Sequence, residues 1–193
     1  MISDHIMLTI AWIVYCVLHS VFADTRFKTK VQVWMGKTYR HYRLLYSIFA
    51  FITLIGIFYF QARMESLMLY TSTILTYLAG CFFVLGGSLL MVICVAKYFL
   101  ALSGIRSLNE KPASNELVIT GVHRYVRHPL YLGTFVFIWG LFFLFPYLSL
   151  LIANIIITLY TLFAIKLEEE KLIAEFGESY RSYRKNVPMI IPF

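Results

Sequence analysis

The chain reads as an all-α integral membrane protein, with five transmembrane helices and a carboxy-terminal amphipathic helix on one membrane face. Three observations predict this. Of 193 residues, 60% are hydrophobic and 14% charged, with mean hydropathy +0.75; soluble domains carry about 45–50% apolar and about 25% charged residues. Four long stretches, Ile6–Phe22, Leu44–Phe60, Leu67–Ala96 and Leu130–Ile165, contain no Asp, Glu, Lys or Arg. Finally, 16 of the 17 Lys and Arg fall in three blocks, each separated from the next by two crossings. A net charge of +7 by itself would suit a nucleic-acid binder, but this distribution excludes nucleic acid as the expected partner and points to membrane lipids.

The elements follow in order. A spanning helix needs about 20 apolar residues, because the hydrocarbon core is about 30 Å thick and each residue rises about 1.5 Å. Ile6–Phe22 and Leu44–Phe60 fit one span each. Within Leu67–Ala96 the span is Thr73–Ala96, and Leu67–Ser72 is an interfacial lead-in. Leu130–Ile165, at 36 residues, is too long for one crossing. Its Phe145-Pro146-Tyr147 centre removes a backbone donor and disfavours helix just before the proline. The stretch therefore divides into a hairpin, Leu130–Phe145 and Tyr147–Ile165.

The basic residues test the count. Five spans put every basic cluster on one face, which the positive-inside rule makes cytoplasmic, and leave Arg63 alone on the other. Four or six spans break the pattern. The amino terminus is then outside and the carboxy terminus cytoplasmic. Met1–His5 has no basic residue and no small-residue cleavage pattern follows, so the first stretch reads as a retained helix rather than a signal peptide.

Two regions differ in chemical density. Residues 1–96 are three spans and a basic loop. Residues 97–193 carry the hairpin, the carboxy-terminal helix and most of the acids, and function is expected there. Cys16, Cys81 and Cys94 lie within spans without C-x-x-C spacing and read as packing residues. His5, His19, His41, His123 and His128 lack zinc-type spacing, so no metal is expected.

Two constellations carry chemistry. The first runs from Leu117 to Gly133 and contains Arg127-His128-Pro129-x-Tyr131-x-Gly133. Arg127 and His128 sit at the mouth of a span, Pro129 suits a first helical position, and Gly133 permits close approach of another chain or a ligand. The second runs from Lys166 to Tyr183. Leu172, Ile173, Phe176, Tyr180 and Tyr183 recur at helical spacing, and Gly177 interrupts or bends the helix. Glu168 and Glu169 directly follow a hydrophobic span, where an unpaired carboxylate costs roughly 2.5–3.5 kcal/mol or more at depth. One of them is expected to have a cationic partner.

Together these motifs, with the closing Val187-Pro188 and Pro192, resemble the integral-membrane methyltransferases typified by isoprenylcysteine carboxyl methyltransferase and the phospholipid methyltransferases. Trp12, His19-Ser20 and the run Tyr39-Arg40-His41-Tyr42-Arg43-Leu44-Leu45-Tyr46 are similar to the branch containing methanethiol S-methyltransferase. The resemblance implies an S-adenosylmethionine pocket on the cytoplasmic side, closed by the last two spans and the carboxy-terminal helix. Carried over, Leu117, Val118 and Gly121 line the cofactor through backbone contacts, with Tyr125, Arg127, His128, Pro129, Tyr131 and Gly133 around it. Glu168 or Glu169 closes the other side. Some members carry an Arg one turn before the double Glu; here that position is Ala164, with Lys166 the nearest cation. The departure bears on the substrate side more than on cofactor binding.

These residue types suit that ligand. Its sulfonium and ammonium call for acid, its carboxylate for a base or backbone amides, and its adenine or sulfonium for an aromatic wall. Glu169, Arg127 or His128, and Tyr131 supply the set. The implied reaction is methyl transfer to a small or lipophilic acceptor, a thiol foremost, with His128, Arg127 and Glu168 as catalytic candidates. His128 is either the base or a cofactor ligand. An isoprenylcysteine carboxyl or phospholipid amine acceptor, an NADPH-dependent membrane reductase and a non-catalytic scaffold are the alternatives. His19 and Ser20, on an otherwise apolar span, are candidate substrate residues. The loop Arg26–Arg43, with Trp34, Tyr39 and Tyr42 interleaved, reads as a surface for anionic lipid head groups.

Overall fold

A computed structural model describes residues 2–103, 117 and 119–191, with side chains described outside 97–103. Among the described residues the regular structure is helical: α1 (Ile2–Ala23), α2 (Thr25–Met35), a 3-10 turn (Gly36–His41), α3 (Tyr42–Arg63), α4 (Ile74–Ser103), a second 3-10 turn (Gly121–Arg124), α5 (Pro129–Leu144), α6 (Leu148–Phe176) and α7 (Glu178–Asn186). They form two compact units. The first holds α1 to α3; the second holds the loop from Met68, α4 as far as Lys97, and the described residues from 117 onward.

In the first unit, α1 buries His5, Leu8, Trp12 and Cys16, a stripe at three- and four-residue spacing that faces α3. The two helices run antiparallel. His5 Nε2 lies 3.1 Å from Ser66 Oγ just beyond α3, Trp12 Nε1 donates to Gln61 Oε1 at 3.3 Å, and His19 meets Tyr46. Asp24 starts α2 by accepting from the backbone N–H of Arg26 at 2.8 Å and of Phe27 at 3.0 Å, which satisfies two donors that a helix start leaves open.

In the second unit, the loop before α4 docks on the proline turn. Leu69 N–H donates to Pro146 O at 2.8 Å and the Tyr70 hydroxyl to Phe142 O at 3.3 Å. α4 and α5 touch backbone to backbone, and glycine makes that possible. A Cβ on Gly87 would stand 2.6 Å from Phe137 N and 2.8 Å from Gly133 O; one on Gly140 would stand 2.8 Å from Val84 N. Small residues at such contacts are how membrane helices gain van der Waals packing where lipid is as apolar as the side chains. α5 and α6 are joined by polar contacts: Asn154 Nδ2 donates to Ile138 O at 2.8 Å and Trp139 Nε1 to Thr158 Oγ1 at 3.2 Å.

Among the described residues, four segments are long and apolar enough to cross a membrane: α1, the segment Thr25–Arg63 containing α3, Ile74–Ala96 of α4, and α6. The chain is a multi-pass integral membrane protein. The expected lead-in is non-helical through Thr73 and the span begins at Ile74. The hairpin forms at the expected proline, but its first arm, α5, has 16 residues, about 24 Å at about 1.5 Å per residue. That is the length of the expected arm, Leu130–Phe145, and it is less than the full hydrocarbon thickness of about 30 Å. Its partner α6 has 29 residues, about 43 Å, so its last turns extend beyond a hydrocarbon core of about 30 Å. Those turns carry Glu168 and Glu169.

Candidate active site

The candidate site gathers at the amino-terminal end of α5 and the far end of α6. Pro129 occupies the first turn of α5, where its missing N–H costs nothing, and this fixes His128 as the capping residue. The preceding chain is held by two backbone hydrogen bonds: Arg127 N–H donates to Pro188 O at 2.9 Å and His128 N–H to Met189 O at 3.1 Å. The carboxy-terminal segment thus straps the start of α5. Gly177 makes the strap possible. With φ +57° it ends α6 in a conformation that side chains resist, and α7 turns back toward the same place.

Glu169 is the centre. Its side chain is 6% exposed, and Oε1 accepts from Arg127 Nε at 2.7 Å while Oε2 lies 3.1 Å from Arg184 Nε. His128 Nε2 is 3.3 Å from Oε1. The expected cationic partner of the double acid therefore exists twice, on α6's Glu169. Arg127 does more than pair: its guanidinium also donates to Arg184 O at 2.8 Å and to Val187 O. One buried cation ties α6 to the strap.

Glu168 differs. Its side chain is 46% exposed; Oε2 accepts from the Tyr131 hydroxyl at 3.0 Å and lies 3.9 Å from His128 Nδ1. The Tyr131 ring stacks on His128 with centroids 5.7 Å apart. The imidazole is buried between two carboxylates of unlike exposure. Tyr183 donates its hydroxyl to His123 O at 2.6 Å, and His123 Nδ1 donates to Arg127 O at 3.1 Å, which braces the turn before α5.

Tyr180 adds an orphan. The residue is 1% exposed, and its hydroxyl is the buried side-chain polar atom that has no hydrogen-bond partner among the described residues. Burial first, and the nearby Glu169 carboxylate second, push its phenol up to about 12. Buried polar atoms are nearly always satisfied, so this hydroxyl beside the charged cluster is a donor and acceptor without a partner among the described residues.

Of the sequence candidates, Arg127, His128, Pro129, Tyr131, Glu168 and Glu169 come together. Tyr125 is 69% exposed and makes no contact with the cluster that is described. Gly121 adopts φ +66° at the start of the second 3-10 turn, Leu117 is half-buried, and Val118 lies outside the described residues. Gly133 faces α4, where a Cβ would meet Met91 Cγ at 3.0 Å and Gly87 O at 3.2 Å; its close approach is to a helix. His19 and Ser20 belong to the first unit, where the Tyr46 hydroxyl lies 2.7 Å from His19 Nδ1. Arg184 was not foreseen. No local spacing links it to Glu169, and only the reversal at Gly177 returns it to α6.

These features define a class of protein: an α-helical membrane protein whose buried charge chemistry is concentrated where a helical hairpin leaves the apolar phase. The family profile for phospholipid methyltransferase matches residues 75–179, more than half of the chain, and the chain belongs to that family. Similar curated proteins include methanethiol S-methyltransferase of Crocosphaera subtropica, 45% identical over 73 residues, covering 37% of this chain and 27% of that protein. Protein-S-isoprenylcysteine O-methyltransferase of Schizosaccharomyces pombe is 39% identical over 77 residues, covering 39% and 33%; the Homo sapiens protein of that name is 36% identical over 93 residues, covering 44% and 30%. The chain matches between about a quarter and a third of the length of these relatives. No solved structure matches it.

Proposed function

We propose that the protein is an S-adenosylmethionine-dependent methyltransferase embedded in the membrane, with residues 97–193 as its catalytic region and a thiol as acceptor. The observation that carries this is the Arg127–Glu169–Arg184 core with His128, Tyr131 and Glu168 held beside it; all of these but Arg184 lie inside the segment matched by the family, residues 75–179. Five crossings, with α5 as a short one, put the amino terminus outside and the site, α7 and the carboxy terminus at the cytoplasmic face, where the basic residues cluster.

The residues fit the cofactor. Glu168 is an exposed carboxylate for a cationic group, Tyr131 and His128 form an aromatic wall, and the orphan Tyr180 hydroxyl offers a further polar contact. When bound, S-adenosylmethionine supplies an electrophilic methyl group on its sulfonium. The chain's own residues then have distinct tasks. Glu169 is neutralised by two arginines, so it orients His128 rather than binding a cation. Arg127 is spent on Glu169 and the strap, so it positions the site. With its proton on Nε2 toward Glu169, His128 presents Nδ1 as the acceptor for a thiol proton; the thiolate is the nucleophile. Alignment and exclusion of water supply the rest of the acceleration.

Names of relatives favour a methanethiol-like acceptor first and an isoprenylated cysteine second. The test is transfer of labelled methyl from S-adenosylmethionine across small thiols, a prenylated cysteine and phosphatidylethanolamine. Turnover of the thiols is the expected result. Absence of saturable binding of S-adenosylmethionine and of S-adenosylhomocysteine would overturn the reading, and NADPH binding in their place would make the protein a reductase. Glu168→Gln is expected to weaken cofactor binding roughly tenfold or more, the scale of a hydrogen bond to a charged group.

A further inference from the structure

The basic run from Arg26 to Arg43 divides on folding. α2 turns one side to the rest of the first unit: Phe27, Val31 and Met35 recur every four residues and, with Lys28 beside them, are half-buried. The Phe27 ring lies 5.4 Å from that of Phe22 on α1. Tyr39 and Tyr42 are engaged with each other and with α1: their rings stack 5.4 Å apart and 11° from parallel, and the Tyr42 hydroxyl donates to Phe22 O at 2.7 Å. The opposite side of α2 is exposed. It carries Arg26, Thr29, Lys30 and Val33 at the spacing of one helix face, with Trp34 at its edge. Val33 is 83% and Trp34 85% exposed.

This face suits neither water nor oil. A bare indole and valine side by side are poorly placed in water, and the cations two turns before them are expelled from hydrocarbon. The fold puts α2 between those phases. It joins the end of α1 to the start of α3, two antiparallel helices within segments long and apolar enough to cross a membrane, so it sits where both leave the apolar phase. Trp belongs at that level because its ring is apolar and its N–H polar, and Lys and Arg there meet anionic head groups. Charge complementarity selects the partner. Residues 5–62 hold six Lys and Arg and one acid, Asp24, whose Oδ1 caps α2. A second copy packed face to face would bring the same cations together across a two-fold contact, which like charge opposes.

We infer that α2 is an interfacial anchor: its exposed face rests on a membrane surface bearing anionic phospholipid, with Arg26 and Lys30 among the phosphates and Val33 and Trp34 at the outer edge of the acyl layer. Lys28 lies on the other side of the helix and has no part in this surface. The anchor uses no residue of the candidate active site, so it stands or falls separately from the methyltransferase reading.

The full-length protein reconstituted in vesicles of phosphatidylcholine, alone or mixed with phosphatidylglycerol, tests this through Trp34. Its emission is the difference between each protein and the same protein carrying Trp34→Phe, which leaves Trp12 and Trp139 in place. With phosphatidylglycerol present, this component should be quenched by a nitroxide near the top of the acyl chain and be several-fold less accessible to acrylamide than in phosphatidylcholine alone. The protection should shrink as salt screens the surface. Arg26→Gln with Lys30→Gln should weaken the docked state roughly fivefold per charge removed and return Trp34 to its accessibility in phosphatidylcholine, whereas Lys28→Gln should leave it near the wild-type level. Equal protection in the two lipid compositions, unchanged protection in the double variant, or an equal loss in Lys28→Gln would overturn the assignment. So would protection that follows the protein-to-lipid ratio, as contact with a second copy requires.

Discussion

The two units solve the same problem, polar groups on apolar helices, in opposite ways. In the first, the pairs are neutral and spaced along the helices: His5 with Ser66, Trp12 with Gln61, His19 with Tyr46. Gly56 there faces open space. In the second, charge is concentrated at one end in the Arg127–Glu169–Arg184 core, and Gly87 and Gly140 press helix backbones together. The difference is one of desolvated charge: the pairs of the first unit can each be lost at the cost of one hydrogen bond, whereas a buried carboxylate demands its fixed cationic partners.

The comparison can be broken most severely at Glu169. Glu169→Ala leaves Arg127 buried without its carboxylate, and the expected cost is about 3–5 kcal/mol, read as thermal unfolding in detergent together with loss of labelled methyl transfer. A change under 1 kcal/mol would mean that the charged core is not what holds the second unit. Next comes the glycine contrast. Gly87→Val drives a side chain into Phe137 N and Gly133 O and should cost about 1–3 kcal/mol by overpacking. Gly56→Ala should instead stabilise α3 by about 0.5–1 kcal/mol. Similar effects at both positions would erase the distinction between a tight and an open helix pair.

Smaller effects sharpen it. His19→Ala removes one neutral hydrogen bond and is expected to lower stability by about 1 kcal/mol, with Tyr46→Phe giving a similar loss and the double variant little more; additive losses would show that the pair is not coupled. The last effect is confined to high pH and concerns Tyr180. Its phenol is raised in the folded chain to about 12 from an ordinary value of 10.0. The resulting stability is complete below pH 10 and is lost as pH rises from there toward 12, because the unfolded chain ionises first. Tyr180→Phe should therefore gain on the wild type across that window in parallel unfolding titrations, and parallel curves would refute a buried, neutral phenol.

Much of this was legible in residue order. Pro146 split the hairpin where expected, Gly177 broke the last helix, and the double acid after an apolar span required a cation. Which acid, and which cation, was not legible. Glu168 and Glu169 are neighbours in sequence, but successive helix positions point about 100° apart, and only packing against α5 and the strap buried one and exposed the other. Arg184 escaped notice for a similar reason: the contact spans a chain reversal, and no periodicity crosses it. The count of crossings was read from the apolar stretches and tested against charge, which says where a chain turns but not whether a helix is long enough to cross; α5, at 16 residues, has the length of the expected arm Leu130–Phe145 and is still short of the full hydrocarbon thickness.

By itself the sequence determined the medium of this protein, because partitioning of apolar and charged groups between oil and water depends on composition and order along the chain. It also carried the two motifs by which the family is recognised. The tertiary structure decided the division of labour within them. Whether a carboxylate is a buried strut or an exposed ligand depends on which distant groups reach it and how much water they displace, and those are properties of packed helices rather than of neighbouring residues.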